Sequence, residues 1–235
     1  MTAPPPTART SARERLAAAA LAIGPILNRV VLAGPPVVDL LLNDDALRAP
    51  SLSFAADNTL QLLSTSMVDR LGVDLQKLGL TRLDRGTHTD RWRVSDQLAL
   101  DLVQVRSEDG DPSQLCLEYA TLLTLPFRIN DQLVVRIAGA PAMLAIECVT
   151  FAKRGGPILD SEALERVILL IACRREMERE CATAPPELRG LISPVLERLT
   201  RDGSLELLIQ RALPDAALLP ALAHRVRDRI VRMAC

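Results

Sequence analysis

The stretch VVLAGPPVVDLLL, residues 30–42, decides the fold. Its first part, with Arg29 ahead of it and Ala33 at its end, is short, apolar and rich in β-branched residues, the make-up of a buried strand. Gly34 stops that strand. Pro35-Pro36 then opens a helix over Val37 to Leu42, because proline is tolerated in a first helical turn, where the N–H groups have no partner in any case. A strand that ends in glycine and passes straight into a helix marks the start of an α/β unit.

The same reading extends in both directions. Residues 1–10, MTAPPPTART, form a proline-rich tail expected to be disordered, and the tail is taken to residue 11. Ser11 is placed as an N-cap with Glu14 as its capping-box partner, so a helix is expected over residues 12–23, ended by Gly24-Pro25. After the helix at Val37, residues 43–53 read as a polar loop and residues 59–63 as a strand. A helix over residues 67–78 follows, closed by Gly79. Strands are expected at 81–84, 90–94 and 98–105. The last alternates, with Leu98, Leu100 and Leu102 on one face and Ala99, Asp101 and Val103 on the other. A helix at 113–120 and strands at 122–127 and 133–137 complete this half. From Pro141 onward apolar residues recur at helical spacing, predicting helices at 141–153, 161–181, 186–200, 204–212 and 216–233. The expected organisation is an α/β domain over residues 12–138 and a helical domain over residues 139–235.

The chain has 235 residues, 49% of them hydrophobic, enough to bury a sizeable core. Its formal net charge is −1, which excludes a polyanion-coating protein that relies on bulk charge. Phe54, Trp92, Tyr119, Phe127 and Phe151 are the only aromatic residues, too few for a base-stacking platform. Of 28 basic residues only Lys77 and Lys153 are lysines, so any anion met by this protein meets a guanidinium, which suits bidentate contact with phosphate. Cys116, Cys148, Cys173, Cys181 and Cys235 form no C-x-x-C pair, and His88 and His224 are the only histidines, so zinc-ligand spacing is missing. The apolar stretch over residues 16–23 lacks a signal-cleavage pattern, and no run approaches the length of a membrane span. These features predict a cytoplasmic protein with reduced, mostly buried thiols and no membrane partner.

Three motifs carry the chemistry. VVLAGPPVVDLLL resembles the strand, glycine turn and helix that open a polymerase β-like nucleotidyltransferase. SFAADNTLQLL, residues 53–63, is similar to the segment bearing that superfamily's D-x-D pair, and LALDLVQV, residues 98–105, to the strand bearing its third carboxylate. Downstream, IAGAPAMLAIECVTFAKRGG, DSEALERVILLI and APPELRGLISPVLERLTRD resemble the helical part of AbiEii-type toxins, of toxin–antitoxin systems. The resemblance covers roughly residues 12–210. It implies an α+β fold, a mixed sheet flanked by helices with an all-helical C-terminal part. It also implies three carboxylates that hold two divalent metals, Mg²⁺ by the oxygen chemistry, and a glycine turn that cradles phosphate.

The motifs depart from that pattern. The glycine turn reads Gly34-Pro35, and proline offers no N–H to a phosphate. The D-x-D pair aligns with Asp57-Asn58-Thr59, so one carboxylate is replaced. Asp101 matches the third, and Glu147 stands where relatives carry a lysine. The resemblance with these losses implies a catalytically degenerate nucleotidyltransferase-like protein, without a resident cofactor, that acts by binding DNA, RNA, another protein or a second copy of itself. Gly34, Asp57 and Asp101 are its candidate nucleotide-binding residues. An active Mg²⁺-dependent transferase modifying RNA or protein is the alternative, with Asp57 and Asp101 as metal ligands and catalytic residues. A structural protein without a ligand is the second alternative.

Each candidate has an ordinary counterpart. Asp57-Asn58 also reads as a turn. Asp101, a carboxylate in a leucine-rich strand, needs a partner, and Arg91 or Arg93 on the preceding strand can pair across to it. His88 sits in a polar turn. Lys153-Arg154-Gly155-Gly156 reads as a small anion loop or as an ordinary helix end. On the last predicted helix Arg225, Arg229 and Arg232 share a face, a candidate nucleic-acid stripe or a solvated face. Val226, Ile230 and Met233 share another that docks either its own chain or the partner in a homodimer.

Overall fold

The computed structural model describes residues 12–44, 59–86, 89–96, 98–107, 110–213 and 220–234. The fold is α+β: a seven-stranded mixed sheet with flanking helices, followed by a helical C-terminal part. In chain order the elements are α1 (Ala12–Ala22), a 3₁₀ turn (Gly24–Arg29), β1 (Val31–Ala33), α2 (Pro35–Leu41), β2 (Leu60–Ser64), α3 (Val68–Lys77), β3 (Thr81–Arg85), β4 (Thr89–Ser95) and β5 (Leu98–Gln104). Then come α4 (Pro112–Leu122), β6 (Thr124–Arg128), β7 (Val134–Ala138), α5 (Ala140–Arg154), α6 (Glu162–Cys173), α7 (Met177–Ala182), α8 (Pro186–Arg201), α9 (Leu205–Ala212) and α10 (Pro220–Ala234).

The strand order is β3-β4-β5-β2-β1-β7-β6. β1 runs antiparallel to β2 and parallel to β7, and β2 runs parallel to β5. The register aligns Leu60 with Leu100, Leu62 with Leu102, and Trp92 with Leu100. Because side chains alternate, these residues share one face of the sheet, and all five are fully buried. α3 covers Trp92 closely. A Cβ added at Gly72 would meet the Trp92 ring at 3.1 Å and the Arg82 guanidinium at 3.0 Å, so only glycine lets the helix approach this far. Arg82 lies over the indole, 5.0 Å from its centroid, and faces the buried Asp90 at 3.5 Å.

One long helix expected over 161–181 is instead two, α6 and α7, broken at Arg174, whose backbone is extended. The cause lies far away in sequence. The N–H groups of Asn43 and Asp44, just after α2, donate to the Cys173 carbonyl at 3.0 and 2.9 Å. The Asn43 side chain accepts from Arg175 N and donates to Glu176. Arg174 clamps both oxygens of Glu180 at 2.6 Å and donates to the Leu41 carbonyl at 2.9 Å. The C-terminal carbonyls that a helix leaves open are thus satisfied by another element, which ends α6 without glycine or proline.

The buried apolar residues form one contiguous cluster, from Leu16 of α1 and Ile23 just after it through the sheet to Leu222, Val226 and Ile230 of α10. Ser11, the expected cap, lies outside the described residues. The sheet core sets a stability test. Leu100→Ala removes a fully buried side chain and is expected to cost about 2–5 kcal/mol. Leu83→Ala, at a position 42% exposed, should stay within about 0.5 kcal/mol. Urea unfolding followed by the fluorescence of Trp92, the sole tryptophan, checks both; equal losses would mean that the sheet face is assigned wrongly.

Candidate functional site

The turn after β1 brings the glycine-containing motif against β2. Gly34 has φ +89°, a conformation that favours glycine, and a Cβ there would lie 2.8 Å from the Thr59 carbonyl and 3.3 Å from Gln61 Cγ. The Gly34 carbonyl accepts from Val37 N at 2.9 Å. Pro35 and Pro36 have no N–H to turn toward a ligand.

From this turn a row of side chains crosses the sheet. Ala33 on β1 stands opposite Gln61 on β2, Gln61 opposite Asp101 on β5, and Asp101 opposite Arg91 on β4. Directly opposed residues point to the same face, so these four share the face opposite Trp92 and Leu100. Arg91 grips Asp101 in bidentate fashion: Nε donates to Oδ1 at 2.8 Å and Nη2 to Oδ2 at 3.1 Å. Nη2 also lies 3.4 Å from Thr59 Oγ1. The Asp101 side chain is 13% exposed and that of Arg91 48%. Gln61 Oε1 is buried and accepts no hydrogen bond from the described residues.

Of the sequence-derived residues, Gly34 and Asp101 therefore stand at two ends of one corner, and Asp57 lies outside the described residues. The corner contains a residue that motif alignment passes over. The register seats Gln61 beside Asp101. The resemblance implies a pair of divalent ions here. The described donors do not fit such a pair: one carboxylate, one amide and one hydroxyl, with a guanidinium already on both carboxylate oxygens. Mg²⁺ is normally held by carboxylates together with substrate phosphates and water.

The other candidates are dispersed. Glu147 is buried within α5, 2.9 Å from Arg166 of α6, and burial raises its carboxyl above the usual range despite that guanidinium. Lys153 pairs with Asp111, the N-cap of α4, at 3.2 Å, and Gly155 ends α5 with its N–H on the Phe151 carbonyl. His88 lies outside the described residues. Among the described residues no three His, Cys, Asp or Glu side chains converge.

On α10 the three arginines face different surroundings. Arg225 is exposed. Arg229 is only 14% exposed. It donates to Glu178 Oε1 at 2.8 Å and to the carbonyls of Ala172, Arg174 and Arg175 at the end of α6. Arg232 donates to both oxygens of Glu178, at 3.0 and 3.1 Å. Two of the three guanidiniums therefore hold α10 onto α6 and α7. The apolar face with Leu222, Val226 and Ile230 is buried within the same chain, against the cluster that includes α6 and α8. The homodimer expectation built on that face loses its free surface.

Among the described residues no helix is long and apolar enough to cross a membrane. Compared with known proteins, the sequence matches no protein-family model and no curated protein.

The α10 clamp has a pH signature. Hydrogen bonds from Arg232 and then Arg229 hold the Glu178 carboxyl below its ordinary value of 4.5. A depressed carboxylate stabilises the folded state above its unfolded pKa, and that contribution is lost as pH falls through the folded one. Glu178→Gln should lower stability at neutral pH and flatten the loss on acidification below about 4.5. Unfolding midpoints across a pH series check this; an unchanged acid limb would remove Glu178 from the clamp.

Proposed function

We propose that this chain is a nucleotidyltransferase-like protein that has lost phosphoryl or nucleotidyl transfer and acts by binding. One observation carries the reading: Arg91 occupies both oxygens of Asp101, the one described carboxylate at the corner where the resemblance implies metal ligands. A guanidinium there supplies the positive charge that a metal ion would otherwise supply. Thr59 and Gln61 contribute no charge to the same corner. Pro35 removes a backbone donor where a phosphate cradle needs one.

The cytoplasm is the setting that fits. Cys116, Cys148, Cys173 and Cys181 are buried and unbridged, and burial pushes the Cys116 and Cys181 thiols up to about 12. Such thiols are inert packing groups of the kind that a reducing compartment preserves.

The test is transfer itself. Incubation with radiolabelled nucleoside triphosphates, Mg²⁺ or Mn²⁺, and a tRNA pool or the protein alone should give no label incorporation. Incorporation by the unaltered chain that disappears in Asp101→Ala would overturn the reading and restore an active transferase.

A further inference from the structure

A second feature lies away from the sheet corner, formed wholly by α7, α8 and α10. There the three helices line a half-open cavity of about 460 Å³. That volume falls within the range of about 300–1,000 Å³ common to small-molecule sites. Its floor is apolar, with Cys181 and Ile192 buried and Met233 half-buried. Its wall carries three guanidiniums, those of Arg179, Arg189 and Arg232.

The charge balance at this cavity is uneven. Glu178 is the carboxylate among the lining residues, and its two oxygens are already taken by Arg229 and Arg232. The guanidiniums of Arg179 and Arg189 make no ion pair or hydrogen bond among the described residues; that of Arg179 acts on Glu176 only at a distance, through its field. Both are exposed, so their charge is solvated and available. Ser193, half-buried on α8, adds a hydroxyl that has no hydrogen-bond partner among the described residues. An aliphatic and sulfur floor beneath two uncommitted guanidiniums suits one kind of occupant. We infer that the α7–α8–α10 cavity binds a small amphipathic anion, its carboxylate, sulfonate or phosphate head held by Arg179 and Arg189 and its apolar body lying on Cys181, Ile192 and Met233.

A polyanion is the weaker fit. A nucleic acid needs an open stripe of cations and gains from aromatic stacking. Here Arg229 is turned into the protein, Glu178 sits amid the cluster, and no aromatic residue lines the cavity. The inference does not depend on the fate of catalysis at the sheet, since no residue is shared between the two places.

The experiment uses the full chain and 8-anilinonaphthalene-1-sulfonate, itself an aromatic anion, whose fluorescence rises on leaving water. Saturable binding at one site is expected, displaced by decyl phosphate but not by equimolar inorganic phosphate. Arg179→Ala and Arg189→Ala should each weaken it about tenfold, the size expected for losing a charge-assisted hydrogen bond. Arg201→Ala, on α8 but paired with Glu197, should leave it unchanged. Trp92 fluorescence and unfolding midpoints confirm that each variant is folded. Binding indifferent to Arg179 and Arg189 would overturn the inference, as would displacement by inorganic phosphate as effective as that by decyl phosphate. Displacement by single-stranded DNA at low salt without displacement by decyl phosphate would assign the surface to a polyanion and equally overturn it. A further arm with anionic vesicles separates a membrane-borne head group from a free ligand: displacement by monomeric decyl phosphate, with vesicles ineffective, supports the free ligand, and displacement by vesicles alone contradicts it.

Discussion

A carboxylate in the middle of a leucine-lined sheet cannot stand alone. Asp101 is flanked by Leu100 and Leu102 and is largely withdrawn from water. An ion in that position needs a counter-charge, because leaving it unpaired costs several kcal/mol. Two kinds of partner satisfy it, a metal cation or a basic side chain. In this molecule Arg91 on the neighbouring strand stands directly opposite and takes both oxygens. The identity of the partner decides what the corner can do. A metal brings open coordination positions and electrophilic character, whereas a guanidinium brings hydrogen bonds already in use. Thr59 and Gln61 beside it carry no charge, so among the described residues the corner holds one carboxylate for one guanidinium.

The helical part is governed by the same accounting of charge and open backbone groups. The C-terminus of α6 exposes carbonyls that two different elements close: Asn43 and Asp44 arrive from the end of α2, and Arg229 arrives from α10. This one helix end therefore ties the chain's first quarter to its last helix. Glu178 completes the arrangement by holding Arg229 and Arg232 together. Arginine is suited to such a junction because its fork reaches several acceptors at once. Among the described residues Arg179 and Arg189, on and beside short α7, have no acidic partner at their guanidiniums, which is why the inferred anion is placed there.

Much of this was legible in the sequence, for reasons that can be stated. The strand and helix at VVLAGPPVVDLLL follow from composition and from the position of Gly34 and the two prolines, and the alternation in LALDLVQV puts Asp101 on the face opposite the leucines. Arg91 was among two possible partners, and only the register between β4 and β5 selects it over Arg93. Gln61 was not legible, because a motif aligns by residue type while a sheet aligns by hydrogen-bond register. The break at Arg174 was hidden because its cause, Asn43, lies about 130 residues upstream in a different element. Arg229 was misleading for a related reason: helical spacing groups it with Arg225 and Arg232, but which part of a helix meets solvent depends on what packs against it.

We propose that Arg91 stands where a metal ion would otherwise sit at Asp101. Titration with Mn²⁺, followed by electron paramagnetic resonance of the free ion, tests it most directly. The account predicts no saturable Mn²⁺ site in the unaltered protein up to millimolar ion, and an Asp101→Asn variant that titrates identically. A saturable site in the unaltered protein that vanishes in Asp101→Asn would contradict it.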